Sequence, residues 1–152
     1  TFKEMNPLIS PLHIDKVIDF HLKNLKYDII LPNLQVRSNN NTNIVKIVSN
    51  KKNEVMYISR ANIPYEFRSR VKYFKKHLSI VSFKPESLLY FGKSKRSELE
   101  KVEDVELLRA LDIGLKIKTI NLVGDSFSVD VFEDYSKAKD QIKRDKYLKF
   151  YR

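Results

Sequence analysis

Cysteine is absent from this 152-residue chain, which removes disulfide scaffolds, thiolate metal sites and cysteine nucleophiles together and is compatible with a reducing cytoplasm. Glycine is scarce: only Gly92, Gly114 and Gly124 occur, and no two lie close enough to form a loop whose backbone amides cradle phosphate. A complete nucleotide-binding domain is therefore not visible. No run of about eighteen apolar residues and no signal peptide occurs, so neither a membrane span nor export is expected, and the expected location is cytoplasmic. Of the three histidines, His13 and His21 stand eight residues apart on one predicted helix. One-turn spacing would be needed to share a metal, so no zinc site is expected there.

What is present is enough for a core: 42% of the residues are apolar, nine of them phenylalanine, and the length fits a single domain over residues 1–152. The formal charge is +10, from 29 Lys and Arg against 19 Asp and Glu, which predicts attraction to anions such as nucleotides, acidic sugars or nucleic acid. The excess gathers at residues 68–76, 93–96 and 143–152, the last reading as a solvated helical tail.

Apolar spacing organises the chain. Ser10-Pro11 followed by Ile14, Val17, Ile18 and Leu22 predicts a capped amphipathic helix lying on a sheet. Residues 27–36 read as a buried strand, with Pro32 arguing for an edge or a bulge, and residues 37–43 as a loop. Residues 44–49 and 54–59 alternate apolar and polar around Asn50-Lys51-Lys52-Asn53, the pattern of an antiparallel hairpin. After a basic linker, residues 78–83 predict a strand, Pro85-Glu86-Ser87 a short helix, and Ser97 a longer helix to about Ile113. That helix carries Leu99, Val102, Val105, Leu108 and Leu111 as one stripe, with Glu103 and Glu106 on its flanks and Gly114 closing it. Residues 116–123 predict a strand, 124–128 a loop, and 131–146 a helix with Tyr135, Ala138 and Ile142 on one side. Strands and helices interleave, so the expected class is α/β, a mixed, mainly parallel sheet flanked by helices with an antiparallel hairpin.

Four residues stand out chemically. Arg60 follows an alternating strand and precedes Ala61-Asn62-Ile63-Pro64, so it is either a surface cation at a strand end or a planar fork of donors for a carboxylate. His77, after Lys75-Lys76 and at the entrance to the predicted strand, is either structural or aimed into a cleft. Glu106, with Glu103 and Arg109, forms either a solvated charge pattern or a set of acceptors for sugar hydroxyls. Asp130 in Val129-Asp130-Val131-Phe132-Glu133 is either a helix cap paired with Glu133 or a carboxylate for Mg²⁺.

Taken in order, Asn41-Thr42-Asn43-Ile44-Val45-Lys46-Ile47-Val48, Tyr57-Ile58-Ser59-Arg60-Ala61-Asn62-Ile63-Pro64-Tyr65, Lys76-His77-Leu78-Ser79-Ile80, the run from Leu99 to Arg109, and Val129-Asp130-Val131-Phe132-Glu133-Asp134 resemble the 3-deoxy-manno-octulosonate (Kdo) cytidylyltransferases, the CMP-Kdo synthetases. The resemblance covers about residues 5–142. It implies part of a Rossmann-like nucleotidyltransferase fold, an enzyme of lipopolysaccharide biosynthesis that transfers CMP from CTP to a 2-keto sugar acid with release of pyrophosphate, a Mg²⁺ cofactor and a homodimer. It implies that Arg60, His77 and Glu106 bind the sugar acid and that Asp130 is catalytic and holds the metal. The family's opening glycine-rich nucleotide loop has no counterpart, so the sugar-acid side is expected here and CTP binding only with the missing N-terminal part. Met5 replaces a metal-binding aspartate of the family, Val81 a tyrosine and Leu107 a glutamine. Those departures motivate an alternative, a catalytically degenerate homologue acting as an interaction module. A third reading, a basic nucleic-acid-binding domain, rests on the charge and on Val71-Lys72-Tyr73-Phe74-Lys75-Lys76, but no known nucleic-acid motif appears.

Overall fold

Ser10-Pro11 opens the first helix, α1 (Pro11–Leu22), as the spacing predicts, but the Ser10 side chain makes no capping bond. The structure, a computed structural model, describes residues 9–37, 41–123 and 132–143. Of the four expected apolar contacts on α1 only Val17 is buried; Ile14, Ile18 and Leu22 are exposed. His21 takes the inward position beside Val17, with Nε2 3.2 Å from the Tyr27 carbonyl and Nδ1 2.7 Å from Ser82 Oγ. Since a carbonyl can only accept, Nε2 carries the proton and Nδ1 receives the serine hydroxyl.

The next element, β1 (Ile29–Val36), is the centre of the sheet and not an edge. On one side it pairs in parallel with β6 (Ile117–Asn121), from Ile29↔Ile117 to Asn33↔Asn121. On the other it pairs antiparallel with two short strands, β4 (Phe74–His77) and β5 (Ser82–Phe83). Pro32 falls in the gap between those two partners, where its carbonyl accepts from Leu78 N at 3.1 Å. Amide and carbonyl of one strand residue point the same way, so the donor that proline lacks would also have faced this gap. The strand expected over residues 78–83 is thus reduced to Ser82–Phe83, and a further strand, β4, lies before it, overlapping the stretch read as a basic linker.

The hairpin forms as expected from β2 (Lys46–Ser49) and β3 (Val55–Ser59), with Lys46 opposite Ser59. Asn50 Oδ1 accepts from Lys52 N and Glu54 N at 2.8 and 3.0 Å, and Asn53 adopts φ +60°. β2 then pairs antiparallel with β4, Lys46↔Lys76. The sheet is mixed, as expected, but among the described residues only β1·β6 is a parallel pair and the remaining strand pairs are antiparallel, in place of a mainly parallel sheet. The reason is connectivity: parallel neighbours need a crossover, and of the paired strands only β1 and β6 are joined through helices.

Those helices are α2 (Pro85–Lys93), α3 (Glu98–Glu103) and α4 (Leu107–Asp112). Ser97 caps α3 by accepting from Glu100 N at 3.2 Å. The single helix expected over 97–113 is broken at Asp104, which adopts the left-handed region (φ +51°, ψ +45°). The break divides the expected stripe. Leu99 and Val102 are exposed, whereas Val105, Leu107, Leu108 and Ala110 pack with Ile29, Ile47 and Ile58. Glu100 points inward at 2% exposure, between Arg96 and Arg109 at 3.1 Å each. The last described element, α5 (Phe132–Lys143), buries Ala138 and half-buries Ile142, while the side chain of Tyr135, the 124–128 loop and the 144–152 tail lie outside the described residues. No helix among the described residues is long and apolar enough to cross a membrane.

Gly114 closes α4 as expected: at φ +82° it donates to Leu111 O (3.0 Å), while Leu115 N reaches Ala110 O (2.9 Å). A Cβ there would meet nothing within 4 Å. Gly114→Ala should therefore cost only backbone strain, about 1 kcal/mol, read as a lower urea midpoint at unchanged slope.

Candidate functional site

Arg60 sits at the exit of β3, and its guanidinium is already engaged. Nε donates to Glu103 O (2.9 Å), Nη2 to Asp104 O (3.2 Å) and Nη1 to Thr42 O (3.2 Å). Three of its five N–H groups thus tie the hairpin exit to the helix break and to the loop before β2, and two are left for a ligand. The carboxylate of Glu103 completes the junction by accepting from Ser59 Oγ (2.5 Å) and Arg60 N (3.0 Å).

Beneath this junction lies Lys46, 2% exposed, whose Nζ donates to Asn41 O (2.9 Å) and Arg60 O (2.8 Å). Burial and the Arg60 charge lower its pKa, and Glu103 opposes them. Read as part of a half-exposed alternating strand, Lys46 faces solvent, and nothing local in the sequence marks it as buried.

His77 ends β4 instead of preceding a strand, and its amide donates to Val45 O at 2.8 Å. The residue is half-buried, but its Nε2 is sealed from solvent with no hydrogen-bond partner. Burial, with the neighbouring Lys76 charge, pushes its pKa down to about 4. Opposite it on β1 is Asn33, wholly buried. Asn33 Nδ2 donates to Thr119 Oγ1 (2.6 Å) and Ile120 O (3.1 Å), and Oδ1 has no partner. An amide between Pro32 and Leu34 in a mostly apolar strand is the sequence signal that marks Asn33.

Continuing the β2–β3 register by one residue sets Arg60 opposite Val45, whose carbonyl holds His77 on its other side. Arg60 and His77 therefore share one row across the sheet, two strand spacings or about 10 Å apart. The row runs on through Asn33 to Asn121, towards the carboxyl ends of the parallel strands, where open α/β sheets place their ligands. A groove of about 440 Å³ lined by Lys26, Tyr27, Glu54 and Lys116 lies at the opposite ends of those strands, away from the row.

Glu106 is not drawn into this junction. It is exposed, precedes α4, and its side chain makes no hydrogen bond or ion pair among the described residues; the break at Asp104 separates it from Glu103. Asp130 and Met5 lie outside the described residues, and among those described no group of three His, Asp or Glu could hold a metal. Val81 and Leu107 both pack into the apolar core beside β1.

A family model described as cytidylyltransferase matches residues 5–117. The chain belongs to that family. This cytidylyltransferase chain is 35% identical over 136 residues to the 3-deoxy-manno-octulosonate cytidylyltransferase of a Nitratiruptor species, covering 86% of this chain and 57% of that protein. It is 36% identical over 134 residues to the enzyme of the same name from Rickettsia rickettsii (strain Sheila Smith), covering 87% and 54%. A solved structure of CMP:2-keto-3-deoxy-manno-octonic acid synthetase complexed with CTP superposes with a TM-score of 0.82 at 21% identity, covering 91% of this chain and 58% of that one, and shows the shared fold. The cytidylyltransferase chain thus spans a little over half the length of the relatives it matches.

Proposed function

We propose that this chain supplies the sugar-acid side of a nucleotidyltransferase that moves CMP from CTP to a 2-keto sugar acid such as Kdo. In that reaction the anomeric hydroxyl oxygen bonds to the α-phosphorus, the bond to the β-phosphate bridge breaks, and pyrophosphate leaves with the electron pair. The observation that carries the reading is Arg60: a cation braced by three carbonyls, with two N–H groups left, in one sheet row with His77. Arg60 would take the sugar carboxylate, and neutral His77 and exposed Glu106 the hydroxyls.

CTP would be bound with a nucleotide-binding part of the parent enzyme, which would work as a homodimer in the cytoplasm. Mg²⁺ would draw on Asp130, and the described residues offer no carboxylate cluster that fits the ion.

Glu106 gives a clean test because its side chain has no partner among the described residues. Glu106→Ala should leave the melting temperature unchanged and weaken Kdo binding by about tenfold in calorimetry, the loss of one hydrogen bond to a charged group. Absence of heat with wild-type chain would overturn the reading and favour the interaction module.

A further inference from the structure

Two polar atoms of complementary kind are stranded on facing residues in the middle of the sheet. Asn33 Oδ1 and His77 Nε2 are both buried and without a hydrogen-bond partner, and their residues are cross-strand neighbours. The pair is of the non-hydrogen-bonded kind, because the β1–β4 bond falls at the next position, Leu78 N to Pro32 O, and His77 N turns away to Val45 O. Such pairs bring side chains closest, with Cα atoms about 4.5 Å apart. The amide orientation of Asn33 is fixed: Nδ2 faces the Ile120 carbonyl, which can only accept, so the stranded atom is an acceptor. Leaving a buried acceptor unmatched is costly, and the imidazole beside it can supply the matching donor if Nε2 carries the proton. A turn of the ring about χ2, a soft torsion in histidine, is the motion required.

We infer that Asn33 is a positioning residue for His77: its Oδ1 holds the imidazole as the Nε2–H tautomer and leaves Nδ1 as an acceptor for a hydroxyl of the sugar acid. The ligand half of this inference rests on the proposed function, whereas the pairing of the two side chains does not. With Nδ1 fixed as acceptor, the site favours a hydroxyl in the donating orientation and disfavours an ether or deoxy carbon at that point.

Nitrogen-15 NMR of the wild-type chain tests the pairing without ligand. The imidazole coupling pattern of His77 should show the Nε2–H tautomer, with a slowly exchanging Nε2 proton giving a nuclear Overhauser contact to the Asn33 carboxamide. An Nδ1–H ring, an even mixture, or a proton without that contact would overturn the inference. Asn33→Leu should mix the tautomers and weaken Kdo binding by about tenfold, as expected for one misdirected hydrogen bond. If the variant does not fold, the wild-type spectrum decides alone. A folded variant with mixed tautomers and unchanged Kdo affinity overturns the positioning role, whereas the expected spectrum with no Kdo binding by wild type supports the pairing and overturns the sugar-acid reading.

Discussion

Lowering the pH from 7 to 4 should destabilise this fold by about 3 kcal/mol through His77 alone. Its folded pKa is pushed from 6.5 down to about 4 by burial and by Lys76. Above 6.5 the imidazole is neutral in both states, so nothing is lost. As the pH falls through 6.5 the unfolded chain takes up the proton first, and the loss grows until the folded protein also protonates near 4. Urea titrations at pH 7, 5.5 and 4 read the effect directly, and His77→Gln should remove most of it. Asp28 acts in a lower window. Burial would raise its pKa, but bonds from Lys116 N and Ser87 Oγ hold it below the usual 3.8, so its contribution fades only beneath that value. A wild-type curve flat between pH 6.5 and 4 would contradict the shielding seen at Nε2.

Glu103→Ala should cost a further amount of similar size at neutral pH. The carboxylate accepts the Ser59 hydroxyl and the Arg60 amide, and it is the acidic group whose charge supports buried Lys46. Removing it leaves two donors unmatched beside a buried ammonium, a loss of about 3 kcal/mol. For a chain of this size that corresponds to a melting temperature about 10 °C lower. Glu103→Gln keeps one carbonyl acceptor and should lose about half as much. Equal stability of Glu103→Ala and wild type would show that the junction around Arg60 does not hold the hairpin to the helices.

The helix start at Pro11, the hairpin, α2 and β6 were legible because local spacing and turn residues agree with the tertiary fold there. β4 was not, because Phe-Lys-Lys-His carries the charge of a loop. Its strand is held by neighbours on both sides, and Lys75 Nζ finds Ser49 Oγ at 2.6 Å. The break at Asp104 was also hidden, since a helix written as one apolar stripe gives no local reason to stop. Its cause is long-range: Arg60, more than forty residues earlier, takes the carbonyls of Glu103 and Asp104. In the candidate site, residue type and sequence context singled out Arg60 and His77, and the structure sets them in one row. Lys46 and Asn33 escaped because only pairing partners reveal what a polar group inside a strand does. Glu106, legible as an acid, lies apart from that row's hydrogen bonds.

Arg60 illustrates what such bracing does for recognition. A free arginine on a surface must surrender close to 2 kcal/mol of rotamer entropy when it closes on an anion, roughly the cost of fixing any long side chain. Here three carbonyls from two distant stretches of chain have already frozen the side chain before any ligand arrives. A carboxylate that reaches the remaining N–H groups meets a preorganised partner, so its affinity should depend less on temperature-driven disorder of the cation and more on the distance between Thr42 and the α3–α4 joint.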